Sequence, residues 1–205
     1  MNIDGEHARF SAPKRPIVFV LGGPGSGKGT QCEMLVEKYG WKQICAGELL
    51  RAEAKRDSEL GRMIKEIIDG GNIVPGYVTI ELLDKEIQKT AEGTPGILID
   101  GFPRAFDQAV EYEKRIGEID LVVYFSCSIE TMRERLLGRG KTSGRVDDCS
   151  DVIESRFRTF LDTSMPVIQK YSAQGILNEV PSEGSPDEIF ESLCVALRRN
   201  ELLPS

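Results

Sequence analysis

The chain has 205 residues, 40% of them hydrophobic and 29% charged, and a formal net charge of −7, so it can bury one substantial core of ordinary soluble composition. No apolar run reaches the roughly 20 residues that span a bilayer, and the polar start carrying Asp4, Glu6, Arg9, Lys14 and Arg15 is unlike a secretory signal. The acidic balance argues against bulk nucleic-acid binding. Cys32, Cys45, Cys127, Cys149 and Cys194 are odd in number and form no C-x-x-C pair, which suggests neither a disulfide framework nor a zinc site and fits a reducing, cytoplasmic location, with a nuclear fraction left open. His7, the one histidine, is expected to be solvated in an N-terminal tail of residues 1–15.

In chain order, residues 17–21 form the first short apolar run and are followed by Gly22-Gly23-Pro24-Gly25-Ser26-Gly27-Lys28-Gly29-Thr30 and then a helical pattern through residues 35–39. Glycines after a strand and before a helix let backbone N–H groups turn inward around phosphate oxygens, with the positive end of the helix behind them. Lys28 is then placed to bridge β- and γ-phosphates. The general motif has Ser or Thr directly after the lysine; Gly29 stands there and Thr30 one later, so direct contact between Thr30 and a magnesium ion stays open.

A weak apolar run at Ile44 is followed by residues 45–74, helical in pattern and without a strand of their own, and then by helical spacing at Val78, Leu82, Leu83 and Ile87. Residues 97–99 form the next strand and lead into Asp100-Gly101-Phe102-Pro103-Arg104. A carboxylate at a strand's carboxyl end beside a phosphate loop is placed to hold Mg²⁺ through water. Arg104 offers a planar guanidinium that grips two phosphate oxygens at once. Strands over residues 121–125 and 176–180 follow, and a last helix carries Ile189, Leu193 and Leu197. Alternating strands and helices imply an α/β fold with a parallel sheet covered on both faces. Between Arg133 and Arg158 lies a basic cluster in an acidic protein, suited to a compact anionic ligand.

Five motifs in order carry a family resemblance: the phosphate loop, Ala46-Gly47-Glu48-Leu49-Leu50-Arg51, Gly71-Asn72-Ile73-Val74-Pro75, Asp100 to Arg104, and Arg139-Gly140-Lys141-Thr142-Ser143-Gly144-Arg145-Val146-Asp147-Asp148. Together they resemble the nucleoside monophosphate kinases of the adenylate kinase and UMP-CMP kinase families across about residues 15 to 200. The resemblance implies one domain over residues 1–205, a P-loop NTPase-type five-stranded parallel sheet flanked by helices, a nucleotide-monophosphate-binding excursion at 45–74, a short lid at 138–148, and a monomer. It also implies Mg²⁺ with ATP as phosphoryl donor, a nucleoside monophosphate as acceptor, and neither nucleic-acid nor membrane partners.

Carried over by position, Gly25, Ser26, Gly27, Lys28, Gly29 and Thr30 bind ATP, with Arg139 near its base and Gly184 beside the adenine. Arg51 and Arg104 hold the acceptor phosphate, while Asn72, Ile73 and Val74, with Ala46, Gly101, Phe102 and Gln108, line its sugar and base. Arg139, Arg145 and Arg156 join Lys28 and Arg104 around the transferring group. Arg133, Arg135 and Arg158 are expected on a solvated helix face. Ala46, Glu48, Phe102 and Asp107 resemble the UMP-CMP branch; Gln108 and Val146 resemble the AMP branch, and the reading leans to UMP and CMP with adenylate kinase as the alternative. A nucleotide-gated switch would leave Arg51, Arg104 and the arginine-rich segment without employment, and against a decayed kinase every matched charged position is intact.

Overall fold

The computed structural model describes residues 15–143 and 150–204. Five strands, β1 (Ile17–Gly22), β2 (Lys42–Cys45), β3 (Ile97–Asp100), β4 (Leu121–Ser126) and β5 (Leu177–Pro181), form one sheet in the order β2-β3-β1-β4-β5. Every neighbouring pair is parallel. The chain fills one side of β1 with β3 and the other with β4, and that reversal opens a crevice beyond the carboxyl ends of the strands.

β1 and β3 read as nearly continuous apolar runs because both faces of the sheet are covered. Side chains alternate with a period of two: Phe19, Leu21, Ile97, Ile99 and Val122 pack on one face with Tyr112, Val167 and Tyr171, while Val18, Val20, Leu98 and Val123 pack on the other with Leu35, Leu193 and Leu197. The first face is served by helices α5 (Phe106–Arg115) and α8 (Met165–Ala173), the second by α1 (Lys28–Tyr39) and α9 (Pro186–Arg199). Phe19 anchors the first face, with the Tyr112 ring edge-on at 4.9 Å and the Phe102 ring at 5.8 Å.

Residues 46–69 leave the sheet as helices α2 (Ala46–Ala54) and α3 (Glu59–Asp69), and α4 (Gly76–Gln88) leads back. Leu50, Ile64, Val74 and Val78 make a separate small core there. Ser58 caps α3 by accepting from the Gly61 N–H at 2.9 Å, which stops the preceding turn and starts the helix in one step. Helices α6 (Ile129–Ser143) and α7 (Ser150–Thr159) flank the segment expected as a lid. Residues 138–143 of it complete α6, and the remainder lies outside the described residues. A π-helical turn, Phe160–Ser164, joins α7 to α8. Among the described residues no helix is long and apolar enough to cross a membrane.

Candidate active site

The crevice at the sheet's carboxyl edge holds a cleft of about 480 Å³ whose walls are mostly polar and basic. Its floor is the glycine-rich turn between β1 and α1. Gly25 has φ +84, and a Cβ there would stand 2.5 Å from the Met132 carbonyl oxygen of α6. Gly27, at φ +92, is the residue from which α1 starts, with no side-chain cap. Both positions require glycine, and the backbone donors at the head of α1 are thereby left for an anion.

Lys28 folds back over this turn, donating to the carbonyl oxygens of Gly22 at 2.9 Å and Gly23 at 2.8 Å and to Ser26 Oγ at 3.3 Å. Burial pulls its pKa down from 10.5 to about 8, against the attraction of Asp100 and together with the repulsion of Arg104 and Arg156. An ammonium held near its proton-loss point, by burial first and by neighbouring guanidinium groups second, gains strongly from an incoming polyanion.

Asp100 ends β3 and is buried, with Oδ2 accepting from Gln43 Nε2 at 3.1 Å. Gln43 carries no motif; only its place on β2, beside β3, could have marked it. The remaining lone pairs of the carboxylate suit the water shell of a hard cation. Among the described residues no group of three His, Cys, Asp or Glu could hold a metal by itself. A lone buried carboxylate with free lone pairs is a donor set compatible with Mg²⁺ delivered with nucleotide phosphates, and Asp100 is the residue that would hold it.

On the opposite wall Arg51 of α2 and Arg104 converge on Gly47: a Cβ there would lie 3.2 Å from Arg51 Nη1 and 3.5 Å from Arg104 Nη2. The Phe102–Pro103 peptide is cis. Arg104 is fixed at three points, its Nε donating to Gly101 O at 2.8 Å, its N–H to Gln108 Oε1 at 2.9 Å, and its carbonyl accepting from Ser164 Oγ at 3.0 Å. Arg139 and Arg156 reach the same cleft from α6 and α7, as do Gly29, Thr30, Asn72, Ile73 and Gly101. A smaller adjoining recess is lined by Ala46, Val74, Phe102 and Gln108, with Leu50 and Thr79.

One expectation is amended, and three further residues are placed away from the cleft wall or outside the described residues. Arg135 was expected on a solvated face, yet it lines the cleft, because the phosphate loop packs on the α6 turn at Met132 and carries the neighbouring face of that helix inward. Ser26 is fully buried under the loop and touches the site through Lys28. Gly184 does not line the cleft; it sits in the β5–α9 turn, where Glu183 accepts from Ser128 N–H at 2.5 Å and Thr131 Oγ1 at 2.6 Å, hydrogen bonds that hold its carboxyl down at about 2. Arg145 lies outside the described residues. Arg133 and Arg158 do lie on the outer face, Arg133 paired with Glu154 at 2.7 Å and Arg158 exposed.

A parallel sheet with a glycine loop at its carboxyl edge, a loop lysine and a ring of arginines defines a phosphate-binding α/β enzyme. Sequence comparison narrows the class. The family model for adenylate kinase matches residues 20–176. Adenylate kinase isoenzyme 1 from Sus scrofa is 44% identical over 184 residues, covering 90% of this chain and 95% of that protein, and the Homo sapiens isoenzyme 1 gives the same figures. Adenylate kinase isoenzyme 5 from Homo sapiens is 43% identical over 184 residues, 90% of this chain and 33% of that longer protein. The chain belongs to the adenylate kinase family, and is a nucleoside monophosphate kinase.

Proposed function

We propose that the chain catalyses reversible transfer of the γ-phosphoryl group of Mg-ATP to AMP, giving two ADP. The observation that carries the phosphotransfer reading is the convergence of Lys28, Asp100, Arg51, Arg104, Arg139 and Arg156 on one cleft. The relatives named adenylate kinase, together with Gln108 in the adjoining recess, favour AMP as acceptor.

In this reading the glycine turn and Lys28 take the donor phosphates, and Arg51 and Arg104 take the acceptor phosphate. An acceptor phosphate has its second pKa near ~6 and is largely ionised at neutral pH, so its oxygen needs no protein base. It attacks the γ-phosphorus, the bond from that phosphorus to the β–γ bridging oxygen breaks, and ADP departs. Arg139 and Arg156 compensate the charge on the transferring group, with Arg145 as their expected companion. Asp100 is the residue that would hold Mg²⁺, which when bound would supply charge neutralisation at the donor phosphates. The 45–74 excursion and the 138–148 segment act as the acceptor-binding unit and lid, bringing mutually repelling cations together only around nucleotide and excluding water that would otherwise take the phosphoryl group.

A second reading, UMP and CMP as acceptors, is favoured by Ala46, which is buried in the recess and offers a methyl group where short-lid adenylate kinases usually carry the hydroxyl of Thr. Initial rates with Mg-ATP and AMP, UMP, CMP, dCMP or GMP separate the two. AMP leading kcat/KM by tenfold, about 1.4 kcal/mol, supports the adenylate kinase reading. UMP and CMP leading by that margin replaces it with the pyrimidine reading, and turnover independent of any monophosphate rejects both.

A further inference from the structure

Thr79 closes the first turn of α4, is 3% exposed, and lines the same recess as Ala46 and Gln108. A threonine inside a helix ordinarily returns its hydroxyl to the carbonyl one turn back. Here the Pro75 carbonyl already receives two backbone N–H groups, that of Val78 at 3.1 Å and that of Thr79 at 3.4 Å, and Thr79 Oγ1 is buried with no hydrogen-bond partner among the described residues. A buried hydroxyl without a partner costs free energy, so a position that keeps one calls for an explanation. The neighbouring polar group is already engaged: Gln108 Nε2 donates to Val74 O at 3.1 Å and Oε1 accepts from Arg104 N–H at 2.9 Å. Gln108 therefore spends part of its amide on fixing Arg104 and the loop before α4. Ala46, which lines the same recess, contributes only a methyl group.

We propose that Thr79 is a specificity-determining residue whose hydroxyl completes its hydrogen bonding on the edge of the acceptor base. A hydroxyl both donates and accepts, so it meets either an amino or a carbonyl group on that edge. The inference rests on the acceptor reading of the cleft and deepens it.

The test uses the full chain with Mg-ATP and AMP, UMP and CMP, comparing the wild type with Thr79→Val, which keeps the side-chain shape, and Thr79→Ser, which keeps the hydroxyl. Thr79→Val lowers kcat/KM for the preferred acceptor by about tenfold, affects the poorer acceptors less, and so narrows the range of selectivity, with KM for ATP unchanged. Its melting temperature without nucleotide rises, because an unpartnered hydroxyl has been removed. Thr79→Ser retains the wild-type order of acceptors. Equal losses for all three acceptors, or no loss, overturn the assignment, and so does a fall in melting temperature of Thr79→Val, which would mean that the hydroxyl has a partner in the free protein. A wild-type enzyme with no acceptor-dependent turnover overturns the acceptor reading itself, whereas normal turnover with selectivity untouched by Thr79→Val overturns only the role of Thr79.

Discussion

The two walls of the cleft are built by opposite means. On the side proposed to take the donor, the turn after β1 is held by the main core: β1 is buried on both faces, and Gly25 approaches the backbone of α6, so the groups left for an anion are backbone amides of fixed position. On the side proposed to take the acceptor the groups are long side chains, Arg51 and Arg104, and Arg51 rides on α2, which shares with α3 and the start of α4 a separate small core of Leu50, Ile64, Val74 and Val78. A backbone cradle gives fixed geometry, while side chains on a lightly anchored unit give a wall that can come and go. The contrast fits a reaction in which two polyanions must be brought together and then released.

The largest expected effect attacks the fixed wall. Lys28→Met removes the one side-chain cation of the phosphate loop and lowers kcat by ~10²- to 10³-fold, the range for losing a preorganised charge-stabilising donor. The fold does not suffer: burial already pushes the Lys28 pKa down to about 8, so the folded environment disfavours the charged form, and thermal unfolding of Lys28→Met at pH 7 is expected at or above the wild-type temperature. A variant with near-normal turnover would remove Lys28 from the chemistry.

Arg104→Ala breaks the other wall. Charge-assisted hydrogen bonds contribute ~1.5–3 kcal/mol each, so kcat/KM for the acceptor falls about 10- to 100-fold while KM for ATP stays close to wild type. If ATP and acceptor constants shift together, the division of the cleft into two walls is wrong. Steady-state rates with each substrate varied in turn decide this.

Much of this contrast was legible beforehand because its parts are local. Gly25, Gly27 and Lys28 announce themselves by spacing, and Asp100 and Arg104 by following a short apolar strand. What stayed hidden depends on packing between distant segments. Arg135 lies in the cleft because the phosphate loop presses on the α6 turn at Met132, and Gln43 matters because β2 pairs with β3 and brings it to Asp100. Thr79 has the hydropathy of an unremarkable helix residue; its hydroxyl stands without a partner among the described residues beside a Pro75 carbonyl that already accepts from two backbone N–H groups, which no local pattern announces. The segment 144–149, whose spacing supplied Arg145, lies outside the described residues.

A smaller effect sharpens the donor side through pH. In the folded protein Lys28 releases its proton near 8 instead of 10.5, so below pH 8 the protein carries a charge its surroundings disfavour, and stability gains from this group as pH rises from about 8 to 10.5. Bound phosphates favour the ammonium and pull the pKa back up. Between pH 8 and 9.5 ATP binding therefore takes up a proton, and affinity weakens by up to about tenfold per pH unit. Calorimetric titration of ATP in buffers of different ionisation enthalpy reads the uptake directly. Lys28→Met should abolish it.

The smallest effect concerns how the two walls communicate. Helix α7, which carries Arg156 into the cleft, is latched to the end of the acceptor excursion: Ser155 Oγ donates to Gly70 O at 3.1 Å and Thr159 Oγ1 donates to Gly71 O at 3.3 Å. Gly71, at φ +72, presents these carbonyls, and a Cβ there would lie 3.2 Å from the Ser155 side chain, so the two segments touch as well as bond. Each neutral hydrogen bond contributes ~0.5–1.5 kcal/mol, too little to lock the unit and enough to bias its position. Ser155→Ala is accordingly expected to raise KM for the acceptor by about two- to tenfold, with kcat at saturation nearly unchanged. Thr159→Val should act in the same direction, and the double variant should exceed either single one, because both bonds hold the same pair of segments. If the acceptor KM does not move in the double variant, the arginine of α7 reaches the cleft without help from the excursion, and the acceptor wall moves independently of α7.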